Sequence, residues 1–194
     1  MLVTVAVLAA LFTYGVSYVV CENTLDSVNT AAQAMMCEAD VLLDFVAPLC
    51  ALGKEHTPQY GPLADWAEQA KERISQHPSA EEVGRAYSQL RQALQVLIRN
   101  LDAIVSVRQS GQYPDLRESV RHNVQRFDHA IQAYNEQAQK YNTMLREPVP
   151  AFWNKLMQFA PASTVVVDRT VKLPAPQRQP PPTPHRVPQV TEEE

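Results

Sequence analysis

The chain has 194 residues, five glycines, 7% aromatic side chains and a formal net charge of −4. So few glycines and aromatics argue against a β-sandwich or barrel, and no Gly-rich strand-to-helix turn points to a dinucleotide fold. The acidic balance gives no reason to expect nucleic acid as a partner.

Residues Leu2 to Val20 carry no charge, and the first one is Glu22. At 1.5 Å per residue this stretch spans ~29 Å as a helix, about one bilayer core. Tyr14 and Tyr18 lie toward one end, where interfacial aromatics collect. A cleaved signal peptide would want a basic start and a small-x-small site, but the segment opens Met-Leu-Val and ends Tyr-Val-Val-Cys-Glu. A lipoprotein site at Cys21 would want a small residue where Val20 stands, and a buried core helix would carry a polar face. The reading is a retained single-pass anchor over 1–22. No Lys or Arg precedes Lys54, so the positive-inside rule has little to act on. Glu22 and Asp26 after the segment favour a bundle outside the cytoplasm.

Three long stretches then repeat apolar residues every three or four positions. The first is Leu25, Val28, Ala32, Met35, Ala39, Leu42, Val46, Leu49. The second is Val83, Tyr87, Leu90, Leu94, Leu97, Leu101, Ile104. The third is Leu116, Val120, Val124, Phe127, Ile131, Tyr134, Ala138, Tyr141, Leu145. A mean spacing near 3.5 puts each set on one coiled-coil-like seam of a helix. Gly53 and Gly111 read as C-terminal stops after the first two. Ser79 with Glu82 reads as a capping box behind Pro78. A shorter helix is expected from Leu63 to about Ser75, with Leu63, Trp66, Ala70 and Ile74 inward. Tyr113-Pro114-Asp115-Leu116 reads as a tight turn in which Asp115 caps the third long helix, and Pro148 and Pro150 stop it. The short link at 111–114 makes the second and third long helices antiparallel neighbours.

Cys21, Cys37 and Cys50 have no metal-like spacing, and an odd number excludes a full disulfide framework. They read as small buried apolar residues. Beyond residue 160 the composition shifts: eight of the 15 prolines lie between Pro161 and Pro188. Val165-Val166-Val167 has no partner strand, so 161–194 reads as a disordered Pro-rich tail.

Catalytic chemistry is hard to find. His122 and His129 share a face offset from the seam, and two ligands ~10.5 Å apart along one axis cannot hold one metal. Asp40 and Asp44, with Glu38 nearby, lack the Glu-x-x-His partners of a di-metal bundle. No nucleophile elbow, phosphate loop or His-Glu-x-x-His occurs. No enzyme activity, cofactor or metal is therefore expected.

Tyr134-Asn135 and Tyr141-Asn142 repeat one pair seven residues apart, two turns along a single stripe. The tyrosines lie on the seam, so packing explains them first. The asparagines stand at its edge, placed either to hydrogen-bond across helices and fix register or to border a partner groove. Phe152 and Trp153 are set to fold onto the bundle end or to meet the membrane interface.

At Tyr113-Pro114-Asp115-Leu116, at the two Tyr-Asn pairs and at Phe152–Phe159 the chain resembles the LemA family of bacterial membrane-anchored helical proteins. The resemblance is good from about Gln89 to Phe159. It is fainter at Ala39-Asp40-Val41-Leu42 and Asp44-Phe45-Val46. There Cys37 and Glu38 stand where the family has arginines, and Leu43 where it has a proline. The resemblance implies a LemA-like bundle over 23–160 and no established catalytic activity. It implies a possible partner surface at Tyr113, Pro114, Asp115, Leu116, Tyr134, Asn135, Tyr141 and Asn142. The association of relatives with MoxR-type ATPases and envelope stress is a contextual hint to partners.

The sequence thus predicts an all-α protein: an N-terminal transmembrane helix, an antiparallel three-to-four-helix bundle and a Pro-rich tail. Its expected role is a non-enzymatic scaffold or regulator at the bacterial inner membrane, with homo-oligomers left open by the long seams. The alternatives are a small-molecule or peptide-sensing bundle with a pocket beside the Tyr-Asn stripe and, last, a metal-dependent enzyme.

Overall fold

The computed structural model describes residues 2–76, 79–168 and 170–173. Seven α-helices occur among them: α1 (Leu2–Asp44), α2 (Val46–His56), α3 (Gly61–Ser75), α4 (Ala80–Asp102), α5 (Val105–Arg108), α6 (Tyr113–Met144) and α7 (Pro148–Met157). A single 3₁₀ turn, Pro58–Tyr60, joins α2 to α3. No strand occurs among the described residues. The all-α bundle with a long apolar N-terminal helix is as the sequence predicts.

The first long seam is split between α1 and α2, and Pro48 gives the reason. Proline has no N–H to bond the carbonyl four residues back, and its ring crowds that carbonyl. The helix therefore breaks at Phe45, whose N–H turns to the Leu42 carbonyl at 3.1 Å. Both halves stay on the core: Val28, Met35, Ala39, Leu42, Val46 and Leu49 are all buried.

α1 runs antiparallel to α6, as Cys21 beside Met144 and Glu38 beside Arg126 show. On the other side α2, α3 and α4 pack in succession. α4 and α6 are antiparallel and meet through large side chains, with the Tyr87 and Phe127 rings 4.5 Å apart and edge to face. Leu90, Leu94, Leu97 and Leu101 of α4, Ile74 of α3 and Phe127 of α6 are all buried in the shared core. Burial of each such side chain stabilises the bundle by ~1.5–3 kcal/mol.

Several boundaries differ from the sequence reading. Gly53 lies inside α2, not after it, because Leu97 of α4 crosses there; a Cβ on Gly53 would meet Leu97 Cδ2 at 3.0 Å. Gly111 follows the short α5 rather than α4, and neither glycine has positive φ. α6 starts at Tyr113, which puts Asp115 in its first turn with no capping hydrogen bond. Its negative charge still suits the N-terminal end of the helix dipole. Pro148 lies beyond the end of α6 and opens α7 instead. The Ser79–Glu82 capping box forms as expected, with Ser79 N–H donating to Glu82 Oε2 at 3.1 Å. Pro78, placed behind it, lies outside the described residues.

The largest difference concerns the segment after α7. Residues 161–168 and 170–173 are not a free tail. They form an extended strap on the bundle, with Val165 buried and Phe159, Ala162, Val167 and Leu173 packed against the core. The rest of the proposed tail, 174–194, lies outside the described residues.

Candidate functional site

Small residues open a groove between α4 and α6. Gly84 and Ser88 are one turn apart on α4 and face the strap. An added Cβ on Gly84 would stand 2.5 Å from the Val166 carbonyl oxygen. No other residue type lets the strap backbone come so close. Ser88 Oγ donates to the Gly84 carbonyl at 2.6 Å and accepts the Asp168 N–H at 2.8 Å.

The opposite wall is the Tyr-Asn stripe of α6. Asn135 Nδ2 donates to the Val165 carbonyl and Asn135 Oδ1 accepts the Val165 N–H, both at 2.8 Å. Asn142 does the same to Ala162, again at 2.8 Å each way. Tyr134 donates its hydroxyl to the Ser163 carbonyl at 2.7 Å. The spacing explains the pairing. Seven helical residues advance ~10.5 Å and three extended residues ~10 Å, so the repeat on α6 is commensurate with the strap. Each primary amide acts as a two-pronged clamp on the backbone N–H and C=O of one residue, as a neighbouring strand would. The asparagines thus bond the strap rather than another helix.

The two tyrosines are not equivalent. Tyr141 is fully buried, and its hydroxyl has no hydrogen-bond partner among the described residues. Burial raises the phenol pKa of both above its ordinary value.

The groove continues past the strap toward the far ends of α4 and α6. Leu94, Ile98, Val120 and Val124 floor a cleft of about 420 Å³ with Arg91, Arg99, Arg117 and Arg121 at its margins. Arg91 pairs with Asp128 at 2.8 Å and Arg117 with Asp102 at 3.2 Å. Asp128 also accepts the Tyr87 hydroxyl at 2.8 Å. Burial first, and the Asp128 carboxylate second, hold the Tyr87 phenol far above its ordinary pKa.

Tyr113, Pro114, Asp115 and Leu116 open α6, in the turn before the cleft-lining Arg117. Tyr113 is buried, with its hydroxyl 2.8 Å from Asp102 Oδ1 and 3.1 Å from the Ile98 carbonyl. It ties the start of α6 to the end of α4. Pro114 and Asp115 are exposed and Leu116 is half-buried. The structure therefore splits the motif: Tyr113 is buried against the end of α4, and Pro114 and Asp115 lie exposed in the first turn of α6.

The remaining candidates stay apart. His122 and His129 are exposed, as are Asp40 and Asp44. Glu38 pairs with Arg126 at 2.6 Å, which gives a use to the acidic residue at a position where arginine was expected. Among the described residues no three His, Cys, Asp or Glu side chains gather as a metal site. Cys21 and Cys50 are buried as expected, and burial pushes the Cys50 thiol up to about 12. Cys37 is exposed, against expectation, because it faces away from the α1 seam.

The LemA family model matches residues 63–177, more than half of the chain. The chain belongs to the LemA family. The matched region starts in α3 and runs past α7, so both walls of the groove and the strap lie inside the LemA part. α1 and α2 lie before it. LemA is not a known enzyme family. A search of curated proteins returns no match.

Before the matched region, α1 is the one described helix long and apolar enough to cross a membrane, which is consistent with anchoring. Val5, Val7, Leu8, Leu11, Phe12, Val16, Val19 and Val20 are exposed along it.

Proposed function

We propose that this LemA protein is a non-enzymatic, single-pass membrane-tethered bundle that scaffolds or regulates partner proteins in the bacterial envelope. The observation that carries the reading is the backbone clamp of Asn135 and Asn142 on an extended segment. Such a clamp reads peptide geometry rather than one side-chain sequence, which is how a protein surface accepts extended chains. The open cleft beside it, apolar in its floor and rich in arginine at its rim, supplies room for a partner. The uncharged Leu2–Val20 helix supports anchoring in the inner membrane. Glu22 and Asp26 favour a bundle outside the cytoplasm, with envelope proteins or a MoxR-type ATPase system as candidate partners.

The test is recovery of partners from detergent-solubilised membranes. The unaltered chain should retain a specific protein that Arg99→Glu with Arg121→Glu loses. Equal recovery by both forms, or none by either, contradicts the proposal. A second reading, a peptide- or small-molecule-sensing bundle, is favoured by the size of the cleft, which lies in the range of ligand sites. Its sign would be a ligand that raises Tm and whose effect Val124→Trp abolishes.

A further inference from the structure

The short helix α7 does not cap the bundle. It crosses the anchor helix. Trp153 stacks edge-on against Tyr14 of α1 with ring centroids 5.2 Å apart, and Phe159 follows against Tyr18 at 6.0 Å. Two clefts of about 430 and 300 Å³ separate α7 from Val7, Ala10, Leu11 and Thr13 of α1. α7 therefore sits beside the middle of the apolar segment rather than beyond its end. Tyr14 is eight residues before Glu22, or ~12 Å along the axis.

The outer face of α7 has no protein cover. Phe152 is 68% exposed and Leu156 69% exposed, and they continue the exposed apolar surface of α1. The Phe152 and Trp153 rings pack together at 4.9 Å. Lys155 is exposed on the same short helix, and Arg146 and Glu147 precede it. An apolar face with two aromatics, one lysine long enough to reach headgroups and charged residues at the margin fits the boundary between headgroups and acyl chains. A helix at that boundary is buried by ~5–10 Å, close to the depth that its contacts with α1 require.

We infer that α7 is a lipid-inserting helix that docks Phe152, Trp153 and Leu156 into the outer part of the bilayer beside the anchor. This rests on the reading of α1 as an anchor. The occupant of the face is the acyl region of phospholipid, because the face is continuous with the span itself. α7 then sets the depth of the whole bundle, since α6 enters it directly and the strap leaves from it.

The experiment uses the full chain in dioleoyl phosphatidylcholine vesicles carrying brominated lipid. Trp66→Phe leaves Trp153 as the remaining tryptophan of the two in the chain. The difference between the unaltered chain and Trp153→Phe gives the same signal without altering Trp66. Flotation with the vesicles reports the anchor; quenching reports α7. The inference predicts strong loss of Trp153 emission with bromine near the headgroup and weaker loss with bromine near the chain end. Phe152→Ser with Leu156→Ser should remove most of that quenching while flotation persists. Flotation without quenching of Trp153 would overturn the inference and leave the anchor standing, with a second copy of the chain as the cover of this face. Failure to float would overturn both.

Discussion

The side-chain amide of Asn135 takes both backbone hydrogen bonds of Val165, each at 2.8 Å. One residue of a helix thus does for an extended segment what a neighbouring strand would do. Replacing it by Ala should free the strap locally, at a cost of ~1–3 kcal/mol for the unpaired groups. The Val165 amide should then exchange with solvent faster, by roughly tenfold per 1.4 kcal/mol. Asn135→Asp keeps an acceptor for the Val165 N–H but loses the donor to its carbonyl, so its effect should fall between. Unchanged exchange in Asn135→Ala would show that the strap is held by its side chains alone.

Gly84 tests the other wall. Gly84→Ala favours helix α4 by up to ~1 kcal/mol through propensity. Its new Cβ also lands 2.5 Å from the Val166 carbonyl oxygen. The expected outcome is a displaced strap, read as faster cleavage by trypsin after Lys172, with no loss of helix content. A stabilised protein with an unchanged cleavage rate would contradict the close approach.

The paired tyrosines should respond differently to one change. Tyr134→Phe removes the bond to the Ser163 carbonyl and should cost ~0.5–1.5 kcal/mol. Tyr141→Phe removes a buried hydroxyl without a partner among the described residues, so stability should hold or rise. Denaturant midpoints of the two variants decide the matter.

Four buried phenols make the fold sensitive to alkali. Burial raises the pKa of Tyr87, Tyr113, Tyr134 and Tyr141, and Asp128 and Asp102 add to it at the first two. The unfolded chain loses these protons near pH ~10, where the folded chain still holds them. Stability is therefore intact below that pH and falls as pH rises above it. Tyrosinate absorbance should show these four appearing only with loss of helical circular dichroism.

The helices were readable because their signal is periodic. Leu42, Leu94 and Phe127 each belong to an apolar series with a mean spacing near 3.5 on its own helix, and all three are buried. The breaks were less readable. Pro48 was masked by an apolar run that continues on both sides of it, and Gly53 looked like a stop because helix packing against Leu97 leaves no mark in the local sequence. The strap was missed for a clearer reason. Val165-Val166-Val167 has no complementary strand among the described residues, because Val165 is paired by the side-chain amide of Asn135 on a helix. The usable signal was Asn135 and Asn142 at a spacing matching three extended residues, together with Gly84 and Ser88 one turn apart on α4.

The central claim, that the α4/α6 groove is where partners bind, is tested most directly by a photo-crosslinking amino acid at Gln95. That residue is exposed and lines the open cleft. In intact membranes it should give one discrete adduct with another protein, absent when the same probe replaces exposed Glu72 on α3. The adduct should vanish in Arg99→Glu with Arg121→Glu. No adduct at Gln95, or the same adducts from both positions, would contradict the account.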